Sequence, residues 1–518
     1  MEPATRQAFK GAENSPTFFA AGLNLPTRPE VNVETPRRRS LSASREATRL
    51  VAAAMGLLVV VAGGCKHKAP GAAGAPASVS APNILLISID SLRADRLGCY
   101  GADRPTSPNL DRFALAAARF TRALANAPWT LPSHVTMLTG QEVSVHDIDR
   151  SGLTLGANAT TIAAVLRARG YATAAVVTAP YLRAIWGYEH GFDAYDDGLS
   201  AVDFQTSHRW KTASLAVDRA LRAVRDRRGK PWFVFLHLFD VHYDYTPPAP
   251  YRTMFVEASY RGHFDVGNWE TNAAFRPDMD PADFAYVRAQ YDGGVAWADS
   301  QVGRLFAALQ ADGDWANTAV IVTADHGEEF LEHRGKGHGH SVFNELLHVP
   351  LLLKAPGAPA AATIAAPVSL VDIFPTIAGW GGASLAGYRG SGRSLLPLLR
   401  DPAAGDADRA LFAETNLSRL EGLPDSPRGR EAMVERGGWK YLERRDPPDR
   451  RLLFHIADDA GERVDRLAEE PARAAELRAL LFEHLRANRA LRDALRLARD
   501  QPIDERTAEQ LKQLGYIN

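Results

Sequence analysis

Apolar runs of strand length alternate with helical patterns from residue 83 onward. The runs are NILLISID (83–90), YATAAVVT (171–178), WFVFLHLF (232–239), TAVIVTAD (318–325) and HVPLLLKAPG (348–357). Helical spacing of apolar residues fills intervening segments such as 160–170 and 287–313. A continuous apolar run is typical of a strand covered on both faces, and strands separated by helices pair in parallel. We therefore predict an α/β fold with a large, mostly parallel sheet flanked by helices.

Composition and charge restrict the class of protein. The 518-residue chain has a net charge of −1, which does not favour nucleic acid as a partner. It contains two cysteines, Cys65 and Cys99, so a disulfide scaffold is excluded.

The N-terminal part has the pattern of a targeting segment. A basic stretch (36–49) precedes an apolar run (50–64) that ends at Cys65. The run is short for a bilayer span but has the length of a signal-peptide core. The ending Ala62-Gly63-Gly64-Cys65 resembles a bacterial lipobox. We interpret 1–65 as a signal or lipoprotein leader and 66–82 as a flexible linker.

This interpretation predicts export to the bacterial periplasm or cell envelope, with a lipid anchor at Cys65. Membrane contact would then be limited to the N-terminal lipid or signal anchor. The alternatives are a plain cleaved signal and a short anchor that is never cleaved.

The pattern changes after about residue 385. Segments 438–445 and 450–459 favour a short antiparallel pair, and 471–500 carries leucines at helical spacing. We assign 83–385 to a catalytic domain and 386–518 to a smaller C-terminal subdomain with a short antiparallel sheet and a helical tail.

Polar side chains follow three of the predicted strands. They are Asp90 and Ser91 after the first, Asp240 and His242 after the third, and Asp325 and His326 after the fourth. Because ligands bind beyond the carboxyl ends of parallel strands, this edge suits a divalent metal. Carboxylate and imidazole donors favour zinc or manganese, with calcium possible. The alternatives are helix N-caps for Asp90 and Asp325, and a core histidine for His237.

Residues 129–134, WTLPSH, predict the start of a helix. Pro132 tolerates the first turn, which places Thr130 where the helix amides attract an anion. The alternative is an ordinary capped helix, with Thr130 or Ser133 serving the backbone.

A histidine-rich segment with several glycines, 329–350, follows the fourth strand. Glycine lets a backbone approach a ligand closely, and the segment directly follows the predicted metal residues. The alternative is a solvated loop.

These motifs together resemble the sulfatase family of the alkaline phosphatase superfamily. The resemblance runs in order over about 83–470 and rests on NILLISIDSLRADRLGCYG, WTLPSHVTMLTG, FLHLFDVHYDYTPP, VTADHGEEFLEH and GHGHSVFNELLHVPLLLKAPG. It implies an alkaline-phosphatase-like fold and hydrolysis of phosphate or sulfate esters.

The resemblance also implies roles for individual residues. Asp90, Ser91, Thr130, Asp325 and His326 correspond to the metal site beside the nucleophile. Asp240, His242 and His338 would hold a second metal or contact the ester oxygens. The segment with His237 supplies a substrate-contacting histidine, and Lys336 and His340 lie where sulfatases carry a lysine.

Thr130 departs from the sulfatase pattern in the most consequential way. Sulfatases convert a cysteine or serine at this position to formylglycine, and a threonine cannot form that aldehyde. His134 replaces the family arginine and would contact the leaving or transferred group. Thr130 with His134 is instead similar to the phosphodiesterase branch, in which threonine attacks phosphorus.

Three functions remain open from the sequence. The first is a phosphoester hydrolase or headgroup transferase that uses Thr130 on a small-molecule, glycan or lipid ester. The second is a sulfuric ester hydrolase without formylglycine. The third is a degenerate, non-catalytic lipoprotein that binds a ligand.

Overall fold

A central sheet of eight strands organises the structure, a computed structural model that describes residues 81–200, 212–267, 272–357, 361–416, 430–444 and 450–513. In chain order the strands of the described residues are β1 (Asn83–Ile89), β2 (Ala118–Phe120), β3 (Ala123–Leu124), β4 (Leu153–Leu155), β5 (Ala172–Val176), β6 (Ala194–Asp196), β7 (Trp232–Leu238), β8 (Thr318–Thr323), β9 (Glu329–Phe330), β10 (Lys336–Gly337), β11 (Leu351–Lys354), β12 (Thr363–Ile364), β13 (Val368–Ser369), β14 (Leu411–Asn416), β15 (Arg430–Arg436), β16 (Trp439–Arg444), β17 (Arg450–His455) and β18 (Ala498–Asp500).

The α-helices of the same ranges flank these strands. They are α1 (Pro108–Ala114), α2 (Thr130–Thr139), α3 (Val143–His146), α4 (Ile162–Ala168), α5 (Ala213–Arg225), α6 (Tyr251–Met254), α7 (Pro281–Ala311), α8 (Asn344–Leu347), α9 (Ile373–Trp380), α10 (Leu396–Arg400), α11 (Pro471–Leu495) and α12 (Glu505–Gln513).

The sheet has the strand order β12-β2-β11-β8-β1-β7-β5-β6 and is mostly parallel, as the sequence predicts. Strands β8, β1, β7, β5 and β6 are parallel to one another. Strand β11 is antiparallel to both neighbours, since the chain leaves the carboxyl end of β8 and re-enters the sheet from the same end. Every residue of β7 is buried, as expected for a strand covered on both faces.

The register of the central strands sets the level at which they end. Ile89 of β1 pairs with Leu238 of β7, and Ser88 pairs with Thr323 of β8. The residues that follow these three strands therefore emerge side by side at one edge of the sheet.

The longest helix, α7, begins at Pro281, ahead of the predicted residue 287. Asp280 caps it, because its carboxylate accepts a hydrogen bond from the Ala282 amide, and proline at the first helical position fits the helix without needing its own N–H. The aspartate and proline mark the start of the helix in the sequence, whereas the apolar spacing does not.

The C-terminal antiparallel pair is present as β16 and β17, inside a four-stranded sheet of order β14-β15-β16-β17. Helix α11 packs on this sheet through Leu477, Leu481 and Leu485, while Leu480 is half-buried beside them. The helix ends at Leu495, before the predicted residue 500, because residues 498–500 form β18 instead and pair with β4.

A buried ion pair joins the small sheet to the segment after β8. Lys440 Nζ lies 2.6 Å from Glu462 Oε1, and both side chains are fully buried. The other oxygen of Glu462 accepts a 2.6 Å hydrogen bond from the amide of Asn344, the first residue of α8. The small sheet therefore anchors the chain that leads out of the 329–350 segment.

The predicted leader and nearly all of the predicted linker lie outside the described residues. Within the described ranges, none of the helices combines the length and the apolarity that a membrane span requires.

A second buried ion pair attaches α11 to the large domain. His484 Nε2 pairs with Glu142, the residue before α3, and the His484 ring stacks on Phe412 with 3.6 Å between centroids. Burial opposes both charges. The Glu142 carboxylate nevertheless raises the pKa of His484, and His484 lowers the pKa of Glu142.

We predict that His484→Gln lowers the free energy of unfolding by about 3 kcal/mol, because it leaves a buried carboxylate without its counter-charge. Because the pKa of His484 is raised in the fold, its charge stabilises the protein fully below about pH 6.5, and this stabilisation is lost as the pH rises through the pKa of folded His484. Because the pKa of Glu142 is lowered in the fold, its charge stabilises the protein above about pH 4.5. Urea titrations should therefore show the largest difference from wild type between these limits. His455→Gln, which removes the half-exposed partner of Asp458, serves as the control and should cost under about 1 kcal/mol.

Candidate active site

Two aspartates meet at the edge where β1 and β8 end. Ser91 follows Asp90 and adopts a left-handed backbone conformation with φ of 57°. Its hydroxyl donates to Asp90 Oδ1 at 3.0 Å and its amide donates to Asp325 Oδ1 at 3.2 Å. Ser91, predicted as a metal residue, thus joins the two carboxylates through hydrogen bonds.

The grouping of Asp90, Asp325 and His326 that the sequence predicts is present. One ligand atom from each lies within 4.8 Å of the others, and all three side chains are buried. His326 Nδ1 donates to the Gly327 carbonyl at 2.8 Å, which leaves the lone pair on Nε2, 3.4 Å from Asp325 Oδ2. The arrangement presents two carboxylates and an imidazole nitrogen to one point.

The electrostatics of this group fit a bound cation. Burial raises the pKa of Asp90 to about 8, and the nearby Glu328 carboxylate adds to the effect. Burial and the Asp90 charge raise the pKa of Asp325 well above its usual range. Asp325 Oδ2 is fully buried and accepts no hydrogen bond. Two oxygens and one nitrogen are donors that zinc and manganese accept, so the residues fit a divalent metal.

Thr130 lies against this group at the first position of α2. Its hydroxyl oxygen is 3.4 Å from Asp90 Oδ2 and 3.4 Å from His326 Nε2. Trp129 before it is extended, with φ of −161°, and Pro132 lies within the first turn of the helix. The Ser133 hydroxyl donates to the Asp325 carbonyl at 2.6 Å, so the start of α2 is fixed to the end of β8.

The sequence interpretation has His134 facing a substrate. The structure does not agree with this interpretation. Its Nδ1 donates to the Thr130 carbonyl at 2.9 Å, and its Nε2 is 3.0 Å from the Ser88 hydroxyl. Burial lowers the pKa of His134 well below its usual value, so the ring is neutral and Nε2 accepts from Ser88. His134 therefore ties α2 to β1 and positions Thr130 through the backbone.

His237 also lies behind the carboxylates rather than in a substrate-contacting position. It is fully buried on β7, its Nε2 donates to Asp90 Oδ2 at 3.2 Å, and its Nδ1 is 3.2 Å from the Thr178 hydroxyl. Burial lowers its pKa to about 3. His237 is therefore a buried core histidine, as the alternative interpretation had it. Its hydrogen bond to Asp90 also helps to hold that carboxylate in place.

Asp240 caps a helix instead of joining a second metal site. Its Oδ1 accepts from the Ala213 amide of α5 at 3.1 Å and from Trp297 Nε1 at 2.7 Å, and its Oδ2 accepts from Thr212 at 3.2 Å. Among the described residues, the candidate metal groups include none of Asp240, His242 and His338. The predicted metal role is replaced because the Ala213 amide and the Trp297 indole N–H satisfy one oxygen and the Thr212 hydroxyl satisfies the other.

His242 and His338 do converge on the site. Their rings are 4.8 Å apart, and His338 lies 4.3 Å from the ring of His326. Each ring is held by its Nδ1: His242 donates to the Tyr243 carbonyl at 2.6 Å, and His338 donates to Glu328 at 2.9 Å.

Lys336 contacts a separate loop, and His340 contacts another part of the 329–350 segment. Lys336 Nζ donates to the Asn272 carbonyl at 2.8 Å, and His340 Nε2 is 2.5 Å from Glu329 Oε2. The two residues that the resemblance places where sulfatases carry a lysine thus form hydrogen bonds with residues other than Thr130.

Sequence reasoning missed Glu328 and Ser88, and it named Ser133 only as a residue that would serve the backbone of its own helix. Glu328 follows the Asp-His-Gly motif directly, so its position next to the metal residues was the available signal. The contacts of Ser88 with His134 and of Ser133 with the Asp325 carbonyl gave no signal, since the strands and the helix that form them are separate in sequence.

A further carboxylate and histidine group, Glu329, His333 and Glu345, also has ligand atoms within 4.8 Å of one another. Glu329 Oε1 accepts from the amides of Gly335 and His333 at 2.7 and 2.8 Å, and His333 Nδ1 is 2.6 Å from Glu345. These hydrogen bonds explain why the three side chains lie together: they hold the loop in its conformation.

Comparison with known proteins identifies the family of the chain. The profile of the Sulfatase family matches residues 82–383, more than half of the chain. The chain is 24% identical to the multifunctional alkaline phosphatase superfamily protein PehA of Trinickia caryophylli, over 76% of this chain and 93% of that one. It is 25% identical to arylsulfatase K of Danio rerio, over 74% and 79%.

The structure is similar to that of the phosphonate monoester hydrolase of Agrobacterium radiobacter. The TM-score is 0.64 at 24% identity, and the match covers 79% of this chain and 96% of that one. The fold is thus alkaline-phosphatase-like, and the sequence resemblance is confirmed. This chain, with its buried Asp90–Asp325–His326 group, belongs to the sulfatase family of metal-dependent ester hydrolases.

Proposed function

We propose that this protein is a metal-dependent phosphoester hydrolase or headgroup transferase in which Thr130 is the nucleophile. The observation that carries the proposal is the position of the Thr130 hydroxyl, 3.4 Å from both Asp90 and His326 at the start of a buried helix. This is the position that a nucleophile beside a metal must occupy.

The nucleophile favours phosphorus over sulfur. Formylglycine releases sulfate because its hydrated aldehyde can expel the group, and an unmodified threonine has no such exit. A phosphothreonine intermediate is instead hydrolysed by attack of water at phosphorus. Retention of a threonine at this position therefore supports a phosphate or phosphonate ester.

The chain's own residues provide most of what the reaction needs. Asp90, Asp325 and His326 would hold a divalent metal, which supplies Lewis-acid stabilisation and lowers the pKa of a nearby hydroxyl. Asp90 Oδ2 and His326 Nε2 orient the Thr130 hydroxyl, and the free amides of the first turn of α2 stabilise negative charge on the ester oxygens. Thr130 attacks phosphorus as the leaving-group oxygen departs, and His242 and His338 contact the ester oxygens.

Hydrolysis of sulfuric esters is the second candidate, because one relative carries the name arylsulfatase. The name of PehA, a multifunctional protein of the superfamily, is a further reason to assay several ester classes together.

Asp325→Asn should reduce metal binding more than tenfold, since losing a ligand should exceed the roughly 10- to 100-fold cost of losing a supporting partner. Elemental analysis after dialysis against zinc or manganese measures the content. Asp240→Asn is the matched control: it should keep the metal while lowering the free energy of unfolding by about 1 kcal/mol, because Asp240 caps α5. Wild-type metal content in Asp325→Asn would rule out this site.

The metal-loaded protein should hydrolyse bis(4-nitrophenyl) phosphate with a higher kcat/KM than 4-nitrophenyl sulfate. Chelation should abolish the activity, and zinc or manganese should restore it, because the hydroxyl is a weak nucleophile without a metal. Higher activity on the sulfate would favour the second candidate. Metal binding with no hydrolysis of any ester would indicate a binding protein.

Thr130→Ala should lower kcat by about a thousandfold or more, and Thr130→Ser should retain part of the activity because only a methyl group is lost. Peptide mass spectrometry after rapid acid quenching should find the phosphoryl group, with the one ester it retains, on the peptide that contains Thr130. Thr139→Ala is the matched control at the far end of the same helix, where the hydroxyl only donates to the Val135 carbonyl. If Thr130→Ala kept wild-type turnover, another nucleophile would be responsible.

We also propose that the protein acts in the cell envelope, anchored by a lipid on Cys65. The basic stretch, the short apolar core and the small residues before Cys65 support this. Mass spectrometry of the mature protein should give an N-terminus at Cys65 with added acyl mass. Cys65→Ser should move the protein to the soluble fraction, and Cys99→Ser should not; an intact Met1 would contradict the proposal.

A further inference from the structure

Glu328 is a buried carboxylate directly beside the candidate active site. Its side chain is fully buried, and Oε1 accepts a 2.9 Å hydrogen bond from Nδ1 of His338, whose side chain is 1% exposed. A buried carboxylate needs a partner to offset its desolvation, and a histidine N–H is a strong one. The pair is therefore well defined in geometry.

His338 brings this pair into contact with the groups around Thr130. Its ring lies 4.3 Å from the ring of His326, whose Nε2 is 3.4 Å from the Thr130 hydroxyl. The ring also stacks on Tyr243 at 5.2 Å with an interplanar angle of 26°. Stacking permits two ring positions related by a half-turn about the Cβ–Cγ bond, and the bond from Nδ1 to Glu328 selects one of them and so fixes where Nε2 lies.

The backbone of Glu328 is itself fixed. Its amide donates to the Glu345 carbonyl at 3.0 Å, and its carbonyl accepts from Arg93 at 2.9 Å. Arg93 is held in turn by Asp95 and Glu332. The carboxylate is thus presented from a rigid support, as the partner of a functional histidine should be.

The adjacent glutamate provides a contrast. Glu329 pairs with His340 and with the Gly335 and His333 amides, and these contacts only close the loop. The two consecutive glutamates of the motif therefore have different partners, and only Glu328 contacts a histidine beside the metal group.

We propose that Glu328 is the positioning residue for His338. Its carboxylate accepts the Nδ1 proton, which fixes the ring orientation and the tautomer and leaves the lone pair on Nε2. Nε2 takes the proton that the Thr130 hydroxyl loses as it attacks phosphorus, and passes it to the leaving-group oxygen as the bond between phosphorus and that oxygen breaks. The inference rests on the proposed function, in which His338 contacts the ester.

Steady-state kinetics of the zinc-loaded full chain test the proposal with Glu328→Ala, Glu328→Gln and the matched control Glu329→Gln. The substrates are bis(4-nitrophenyl) phosphate and diphenyl phosphate, whose leaving group is poorer. Glu328→Ala should lower kcat by about 10- to 100-fold with little change in KM, and the loss should be larger with diphenyl phosphate. Glu328→Gln, which keeps an oxygen acceptor for Nδ1, should recover part of the loss.

Glu329→Gln should change both substrates by the same factor. Equal losses on both substrates for Glu328→Ala, or a fall in its zinc content, would overturn the proposal, because Glu328 would then act through the fold or through the metal. A glutamine variant no better than alanine would overturn it as well.

A spectroscopic measurement separates this proposal from the proposed function. Nitrogen NMR of ¹⁵N-histidine-labelled, zinc-loaded protein should show His338 with its proton on Nδ1, and Glu328→Ala should change that tautomer. If wild type lacked phosphoester activity but this signature held, only the proposed function would fail. If wild type were active and the tautomer did not depend on Glu328, only the positioning role would fail.

Discussion

The burial of Asp90 and Asp325 side by side is the constraint on which the site depends. Each carboxylate is withdrawn from water at the edge of the central sheet, and each raises the energy of ionising the other. The fold offsets part of this cost with hydrogen bonds from Ser91, His237 and the His326 amide. Asp325 Oδ2 is left without a hydrogen bond, and this arrangement fits a divalent cation.

Thr130, the proposed nucleophile, is placed by two connections from one helix. Ser133 of α2 bonds the backbone at the end of β8, and His134 links the Thr130 carbonyl to Ser88 on β1. These bonds hold the helix start over both strands that provide the carboxylates. The neutral, buried His134 is thus a structural link, which makes the position of Thr130 depend on the core.

The small C-terminal sheet contributes to the site without supplying one of its candidate metal residues. Lys440 and Glu462 form a fully buried ion pair, and Glu462 also bonds the Asn344 amide at the start of α8. The segment from Gly327 to α8 carries Glu328 and His338, so it is fixed at one end by the metal motif and at the other by this sheet. Breaking the ion pair would release a buried charge and loosen the loop that presents His338.

The sequence alone determined the sheet, the level of its strand ends and the grouping of Asp90, Asp325 and His326, because apolar runs and polar strand ends are local patterns that parallel pairing aligns. Only the tertiary structure decided where His134, His237 and Asp240 point. Each has a polar side chain suited to a ligand, but a nearby carbonyl (His134), a carboxylate (His237), or an amide, a hydroxyl and an indole N–H (Asp240) satisfy it first. The same holds for Glu328: its role depends on His338, ten positions away in sequence, turning toward it inside the fold. Sequence patterns report which groups are available, whereas packing decides which partner each buried polar group obtains.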